Sequence, residues 1–191
     1  MAKKAKIDYK LSDVANLPPL AENEIKSILR AADDIVSLAG RTMLAKVLKG
    51  SKDKKLMEKK LDHCPAYGYY NDYSIEEITK KIDWMIVKGY LQIDYKGRLP
   101  IIFFTGKGWN NYKPVYVEEL YELLLNSSRE TYREKIEKLK QTNREVVIML
   151  LDKIGESRNI GFIRILNEWK LSEVKKVKLM INSTIAKLKT V

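Results

Sequence analysis

Apolar residues recur at intervals of three and four over most of this chain, and that spacing predicts helices. Ile25, Ile28, Leu29, Ala32, Ile35, Val36 and Ala39 mark one stripe, on a helix from Ala21 to Leu38 that Gly40 stops. Leu44, Val47 and Leu48, then Leu56, Met57 and Leu61, mark two shorter stripes on either side of Gly50-Ser51. They predict two short helices joined at Gly50, the second starting near Ser51. Ser74-Ile75-Glu76-Glu77 is a capping box, so another helix starts at Ile75. Its inward stripe is Ile75, Ile78, Ile82, Met85 and Ile86; Lys80, Asp83, Trp84 and Val87 point outward, and Gly89 ends it. Tyr90–Tyr95 and Leu99–Thr105 then read as two short strands joined at Lys96-Gly97-Arg98. Pro100 marks an edge strand or a bulge near that turn.

Trp109 to Pro114 reads as a boundary, and the sequence beyond it is nearly all helical. Val117 to Leu125 forms one helix, and Ser127-x-x-Glu130 is a capping box for the next. Tyr132, Ile136, Leu139, Val146, Leu150 and Ile154 keep one stripe, with a second capping box at Thr142-x-x-Glu145. This is either one long helix to Ile154 or two with a break near Thr142. Gly155 to Gly161 is a loop. Ile160–Trp169 and Ser172–Leu188 read as a helical hairpin with Val174, Val177, Met180, Ile181, Ile185 and Leu188 inward. The predicted fold is mainly α: a winged helix-turn-helix with a two-stranded wing, then an α-helical C-terminal domain. Its expected segments are a basic arm and extended stretch at 1–20, the winged helix at 21–112 and the helical domain at 113–191.

Charge sharpens this picture. The 191 residues carry 36 Lys or Arg against 25 Asp or Glu, a net charge of +11. An excess of that size points to an anionic partner, nucleic acid before an acidic membrane surface. The longest apolar run, Val146 to Leu151, is far too short to span a membrane. The single cysteine, Cys64, leaves no internal disulfide and fits a reducing, cytoplasmic location, here nucleoid-associated. Cys64 and the single histidine, His63, do not supply a four-ligand zinc set, and both are expected to be structural. No metal, cofactor or catalytic constellation is expected, so the chain is not read as an enzyme.

The charge is densest from Arg41 to Lys60, where eight Lys or Arg face two acids, a local charge of +6. Helix starts leave backbone N–H groups unpaired and carry the positive end of the helix dipole. Arg41-Thr42 after Gly40, and Ser51 with Lys52, Lys54 and Lys55, place a hydroxyl and cations at two such starts, a composition suited to phosphate. Lys46 and Lys49 lie between them. Lys3, Lys4 and Lys6 form either a phosphate-tracking arm or a solubilising end. Tyr67, Tyr69, Tyr70 and Tyr73 either stack on bases or pin a loop to its own core; the second reading is favoured. The Ile75 helix, with Glu76 and Glu77 in its first turn, is poorly suited to reading bases and is expected to be mainly packed.

Leu44-x-x-Val47-Leu48-Lys49-Gly50-Ser51-Lys52-Asp53-Lys54-Lys55, then Tyr67-Gly68, then Gly89-Tyr90-Leu91 before a hairpin, resemble the RQC domain, the winged helix that follows the motor in RecQ helicases. The match is closest to its stand-alone minor RQC family of bacterial DNA-binding proteins and covers roughly Ile25 to Trp109. The resemblance implies double-stranded DNA as the ligand, with phosphate contacts at Arg41, Thr42, Ser51 and Lys52. It also implies a wing able to pry at duplex ends or forks. The wing-tip set here is Tyr95, Lys96 and Arg98, and Tyr95 is either a wedge or an ordinary cross-strand residue. The sequence departs from a helicase in lacking a G-x-x-x-x-G-K-[ST] phosphate loop and a cysteine cluster. The leading expectation is duplex DNA binding, mainly through phosphates and with weak sequence preference. The alternative is an adaptor whose helical half, 113–191, docks a protein partner such as a helicase.

Overall fold

A computed structural model describes residues 6–190. Lys3 and Lys4, the outer part of the expected arm, lie outside the described residues. The chain divides into two compact units, one through Tyr112 and the other from Lys113, and the division falls inside a helix.

The first unit contains α1 (Glu22–Asp33), α2 (Arg41–Lys49), α3 (Lys54–Glu58), α4 (Ile75–Val87), β1 (Leu91–Lys96), β2 (Leu99–Phe104) and the start of α5 (Gly106–Leu125). Its core is the apolar stripe of α2 (Leu44, Ala45, Val47 and Leu48) set between Ile28 and Leu29 of α1 and Ile78, Ile82 and Met85 of α4, all buried. α1 is shorter than its periodicity predicts. The backbone beyond Asp34 is taken by the wing: Ser37 N–H donates to the Ile102 carbonyl (3.2 Å), and Ile102 N–H donates to the Ala39 carbonyl (3.1 Å). Residues 37–39 therefore leave the helix as a turn bonded to β2, with Ser37 at φ 63°.

α4 begins where the capping box predicts. Glu77 N–H donates to Ser74 Oγ (3.2 Å), and Ser74 N–H donates to the Glu77 carboxylate (2.8 Å). Two of its expected outward residues are buried: Asp83 is 0% and Trp84 6% exposed, whereas Ile75 is 38% exposed. The face is rotated because Trp84 stacks on Tyr90 (6.2 Å) and Asp83 receives hydrogen bonds from two other segments. β1 and β2 pair antiparallel without interruption from Leu91↔Phe104 to Lys96↔Leu99, so Pro100 sits opposite Tyr95 with no bulge. Gly97, at φ 64°, supplies the left-handed residue that a two-residue hairpin turn needs.

The tyrosine loop is tied to the core. Gly68 N–H donates to the Val47 carbonyl and Tyr70 N–H to the Leu48 carbonyl. Tyr70, 3% exposed, donates its hydroxyl to Glu24 (2.8 Å). Gly50, the left-handed cap of α2, and Gly68 approach so closely that a β-carbon on Gly50 would lie 3.1 Å from the Gly68 Cα. Both glycines also hold left-handed backbone, Gly50 at φ 74° and Gly68 at φ 73°, which disfavours any side chain there.

In the second unit, α5 runs through the stretch read as a boundary, with Pro114 inside it. Two glycines, two asparagines and the proline between Gly106 and Pro114 hide the helix in the sequence. α6 (Tyr132–Gln141) and α7 (Arg144–Glu156) are separate helices. Asn143, not Thr142, caps α7 by accepting from Glu145 N–H (2.8 Å). Likewise Ser128, not Ser127, caps the 3-10 turn Arg129–Thr131 ahead of α6. α8 (Ile163–Leu171) and α9 (Lys175–Lys189) form the hairpin, although Val174 is 56% exposed rather than inward. α7 packs on α9 around Val147, Leu151, Ile154, Ile181, Ile185 and Leu188. The buried Trp169 indole donates to Glu173 (2.9 Å), whose second oxygen accepts from Arg144 (3.3 Å) and from the Val174 N–H (3.2 Å). The buried carboxylate thus has its partners.

Candidate nucleic-acid interface

The start of α2 lies against the wing. A β-carbon on Gly40 would come within 2.5 Å of the Pro100 carbonyl oxygen, so only glycine lets the two backbones approach this closely. Gly40 has no side chain to cap α2, and the helix start carries no side-chain hydrogen bond. Met43 N–H turns back to the Gly40 carbonyl (3.1 Å), so the Arg41 and Thr42 amides and the dipole end are what lack a capping side chain.

A cleft of about 640 Å³ opens at this junction. Arg41, Thr42, Lys46, Lys55 and Lys59 line one side, and Leu99 and Pro100 of β2 line another. The remaining wall is an N-terminal strap that includes Ile7, Asp8, Tyr9 and Lys10. The structure thus brings together four of the sequence-predicted residues (Arg41, Thr42, Lys46 and Lys55) and adds Lys59 and Lys10. Lys59 lies four residues beyond Lys55, so helical spacing could have flagged it. No local pattern marks Lys10.

Several predicted cations are already engaged. Arg41 Nη1 donates to the buried Asp83 carboxylate (2.5 Å), and its Nη2 donates to the Lys10 carbonyl (3.0 Å). Lys46 is paired with Asp53 (2.7 Å), and that hydrogen bond helps hold the Asp53 carboxyl below the usual carboxylate range. Lys49 donates to the Asn71 carbonyl. Lys96 donates to the Ser37 carbonyl (3.4 Å). Lys54 lies 3.9 Å from Glu58 on an exposed helical turn, a pair that holds it weakly. Lys52, Lys55 and Lys59 are exposed, with no side-chain partner among the described residues.

The second expected helix start is corrected. α3 begins at Lys54, not near Ser51, because Asp53 is the better cap: its carboxylate accepts from Lys55 N–H (3.0 Å) and Leu56 N–H (3.4 Å). The place where a phosphate would sit on α3 therefore holds the chain's own carboxylate. Ser51 serves the turn: its Oγ accepts from Asp53 N–H (3.3 Å), and its carbonyl accepts from the Tyr67 hydroxyl (3.1 Å).

At the wing, the Tyr95 hydroxyl donates to the Ile7 carbonyl (3.0 Å), Lys6 Nζ lies 4.4 Å from the ring centroid, and the Tyr9 ring is 6.1 Å away. Ile7 N–H donates to the Arg98 carbonyl (3.0 Å). Lys6 thus belongs to an ordered strap, and Tyr95 is engaged on its strap side. Among the described residues no three His, Cys, Asp or Glu side chains converge as a metal set, and no helix is long and apolar enough to cross a membrane.

Four α-helices followed by a two-stranded wing, with open cations where helix and wing meet, define a winged-helix DNA-binding domain. The family model for the RQC domain matches residues 21–138. The chain belongs to the RQC domain family. It is 30% identical over 107 residues to the ATP-dependent DNA helicase RecQ of Bacillus subtilis (strain 168), covering 56% of this chain and 18% of that helicase. The family match reaches beyond the stretch where the sequence motifs lie, through α5 and into α6. No solved structure matches.

Proposed function

We propose that this protein binds duplex DNA through its phosphates with weak sequence preference, using the cleft between the α2 start and the wing. The observation that carries this reading is the contact of Gly40 with Pro100, which sets an uncapped helix start beside the wing and within one cleft lined by Lys55 and Lys59. Thr42, Lys52, Lys54, Lys55 and Lys59 supply the phosphate contacts around α2 and α3, and Lys96 and Arg98 supply those at the wing tip. Lys49 and Ser51 shape the turn between them, and Lys46 adds charge partly cancelled by Asp53. α4 contributes packing rather than base reading, since Glu76 and Glu77 occupy its first turn.

The test compares a blunt duplex, a forked duplex and a single strand, each in two unrelated sequences, by fluorescence anisotropy. The reading expects duplex to bind more tightly than single strand, with the two sequences alike. A preference for the fork assigns the wing a part at duplex ends. Tighter binding of single strand, or strong dependence on sequence, overturns the proposal.

A second reading, docking of a protein partner by the helical unit, is favoured by one observation. Ile160, Leu171, Val174 and Leu179 there are each more than half exposed, an apolar display that a solvated helical unit does not require. Leu171→Lys with Leu179→Lys should abolish association with a purified helicase partner while leaving duplex affinity unchanged; retained association counts against it.

A further inference from the structure

We infer that Arg41 is a positioning residue rather than a phosphate contact: clamped by the buried Asp83, it fixes the strap of residues 6–12 as a wall of the cleft, where Thr42, Lys55, Lys59 and Lys10 face a nucleic-acid phosphate. This rests on the duplex-binding reading above and goes further, because it assigns different work to residues that charge alone treats as equivalent.

Arg41 and Asp83 form the centre of the arrangement. Asp83 is fully buried on α4, and its two carboxylate oxygens take one hydrogen bond each from separate segments: Oδ1 from Arg41 Nη1 (2.5 Å) and Oδ2 from the Ser12 N–H (2.8 Å). The other end of the guanidinium donates to the Lys10 carbonyl (3.0 Å). One ion pair therefore grips the strap at Lys10 and at Ser12. The wing grips it again at Ile7, through the Arg98 carbonyl and the Tyr95 hydroxyl. The guanidinium keeps N–H donors beyond these two bonds, but the bonds fix where it sits: it could not move out to follow a phosphate without breaking a charge-assisted bond and leaving the buried Asp83 short of its partner, which costs more than one surface contact returns.

The side chains facing the cleft differ in this respect. Lys10, Lys55 and Lys59 carry no side-chain partner among the described residues, and Thr42 is exposed in the first turn of the uncapped α2. Asp8 also faces the cleft from the strap, and its carboxylate accepts the Tyr9 N–H (2.9 Å). With the strap in place the cleft has cations on two walls; with it detached, Lys10 is lost to the site.

The test uses the full chain, a short blunt duplex, and two readouts: amide hydrogen exchange of residues 7–12 and duplex affinity at one salt concentration. Asp83→Asn removes an acid, so electrostatics alone predicts tighter binding. Positioning predicts faster exchange in the strap and an affinity lower by about tenfold. Ser12→Pro removes the N–H donated to Asp83 while leaving Asp83 and Arg41 in place, and with its constraint on the local backbone should loosen the strap and weaken binding in the same sense, even where Asp83→Asn fails to fold. Equal or tighter binding by a folded Asp83→Asn, or a strap loosened by Ser12→Pro with affinity unchanged, overturns the inference. If the unaltered protein fails to bind duplex, the function proposed above falls and this inference with it. Strap protection by hydrogen exchange then still reports whether the Arg41–Asp83 clamp holds.

Discussion

The α-carbon of Gly40 faces the carbonyl oxygen of Pro100 so closely that a β-carbon there would lie 2.5 Å from it. Because the conflict is with backbone on both sides, neither partner relieves it by changing rotamer. Gly40→Ala should therefore lower stability by about 1–3 kcal/mol, the range for forced overpacking, read as a lower urea midpoint. It should also weaken duplex binding by pushing the wing away from α2. An unchanged midpoint contradicts the packing described here.

Asp53 cancels charge within the basic block. Asp53→Asn keeps a side chain that caps α3 as well as aspartate does, but releases Lys46. Duplex affinity should rise several-fold, and the slope of log affinity against log salt should steepen by about 0.9, one further phosphate contact. A salt titration checks this, and an unchanged slope means that Lys46 does not reach the DNA.

Burial pushes the Glu24 carboxyl up, but hydrogen bonds from Lys81, the Ala21 N–H and Tyr70 outweigh it and hold the group below its ordinary value of 4.5. A carboxyl depressed on folding stabilises the fold above its unfolded value, and that contribution is lost as pH falls through the lower folded value. Stability should therefore decline below about pH 4.5, and Glu24→Gln should flatten that acid limb. Urea midpoints across the acid range decide it; parallel limbs for the two proteins rule out Glu24 as a contributor.

Burial, reinforced by the nearby Asp34 carboxylate, pushes the Cys64 thiol up to about 12. The thiolate is the reactive form, so Cys64 should be inert to a disulfide reagent near neutral pH and react once the chain is unfolded. Rapid labelling of the native protein would show that the loop around Cys64 opens.

Helical period, the Ser74 capping box and the hairpin were legible in the sequence because each is written in neighbouring residues. What was not legible depends on partners far apart in the chain. Asp83 reads as a surface position by helical phase, and only Arg41 and Ser12, from other segments, show why it is buried. α1 ends early because Ser37 and Ala39 bond to Ile102, a strand residue more than sixty positions away. Ser51 looked like a helix cap by residue type, yet Asp53, two residues on, takes that place. Charge density marks the basic block as a stretch, but it does not distinguish Lys55, which is open, from Lys46, which is paired.

The most direct measurement is the salt dependence of binding between the full chain and a blunt duplex. The six lysine and arginine contacts proposed around α2, α3 and the wing tip give a log–log slope of about −5.4 on B-form DNA, and Lys55→Ala with Lys59→Ala should bring it to about −3.6 for every sequence tried. A flat salt response, or a slope that the double substitution leaves unchanged, would contradict a phosphate-binding cleft at the α2–wing junction.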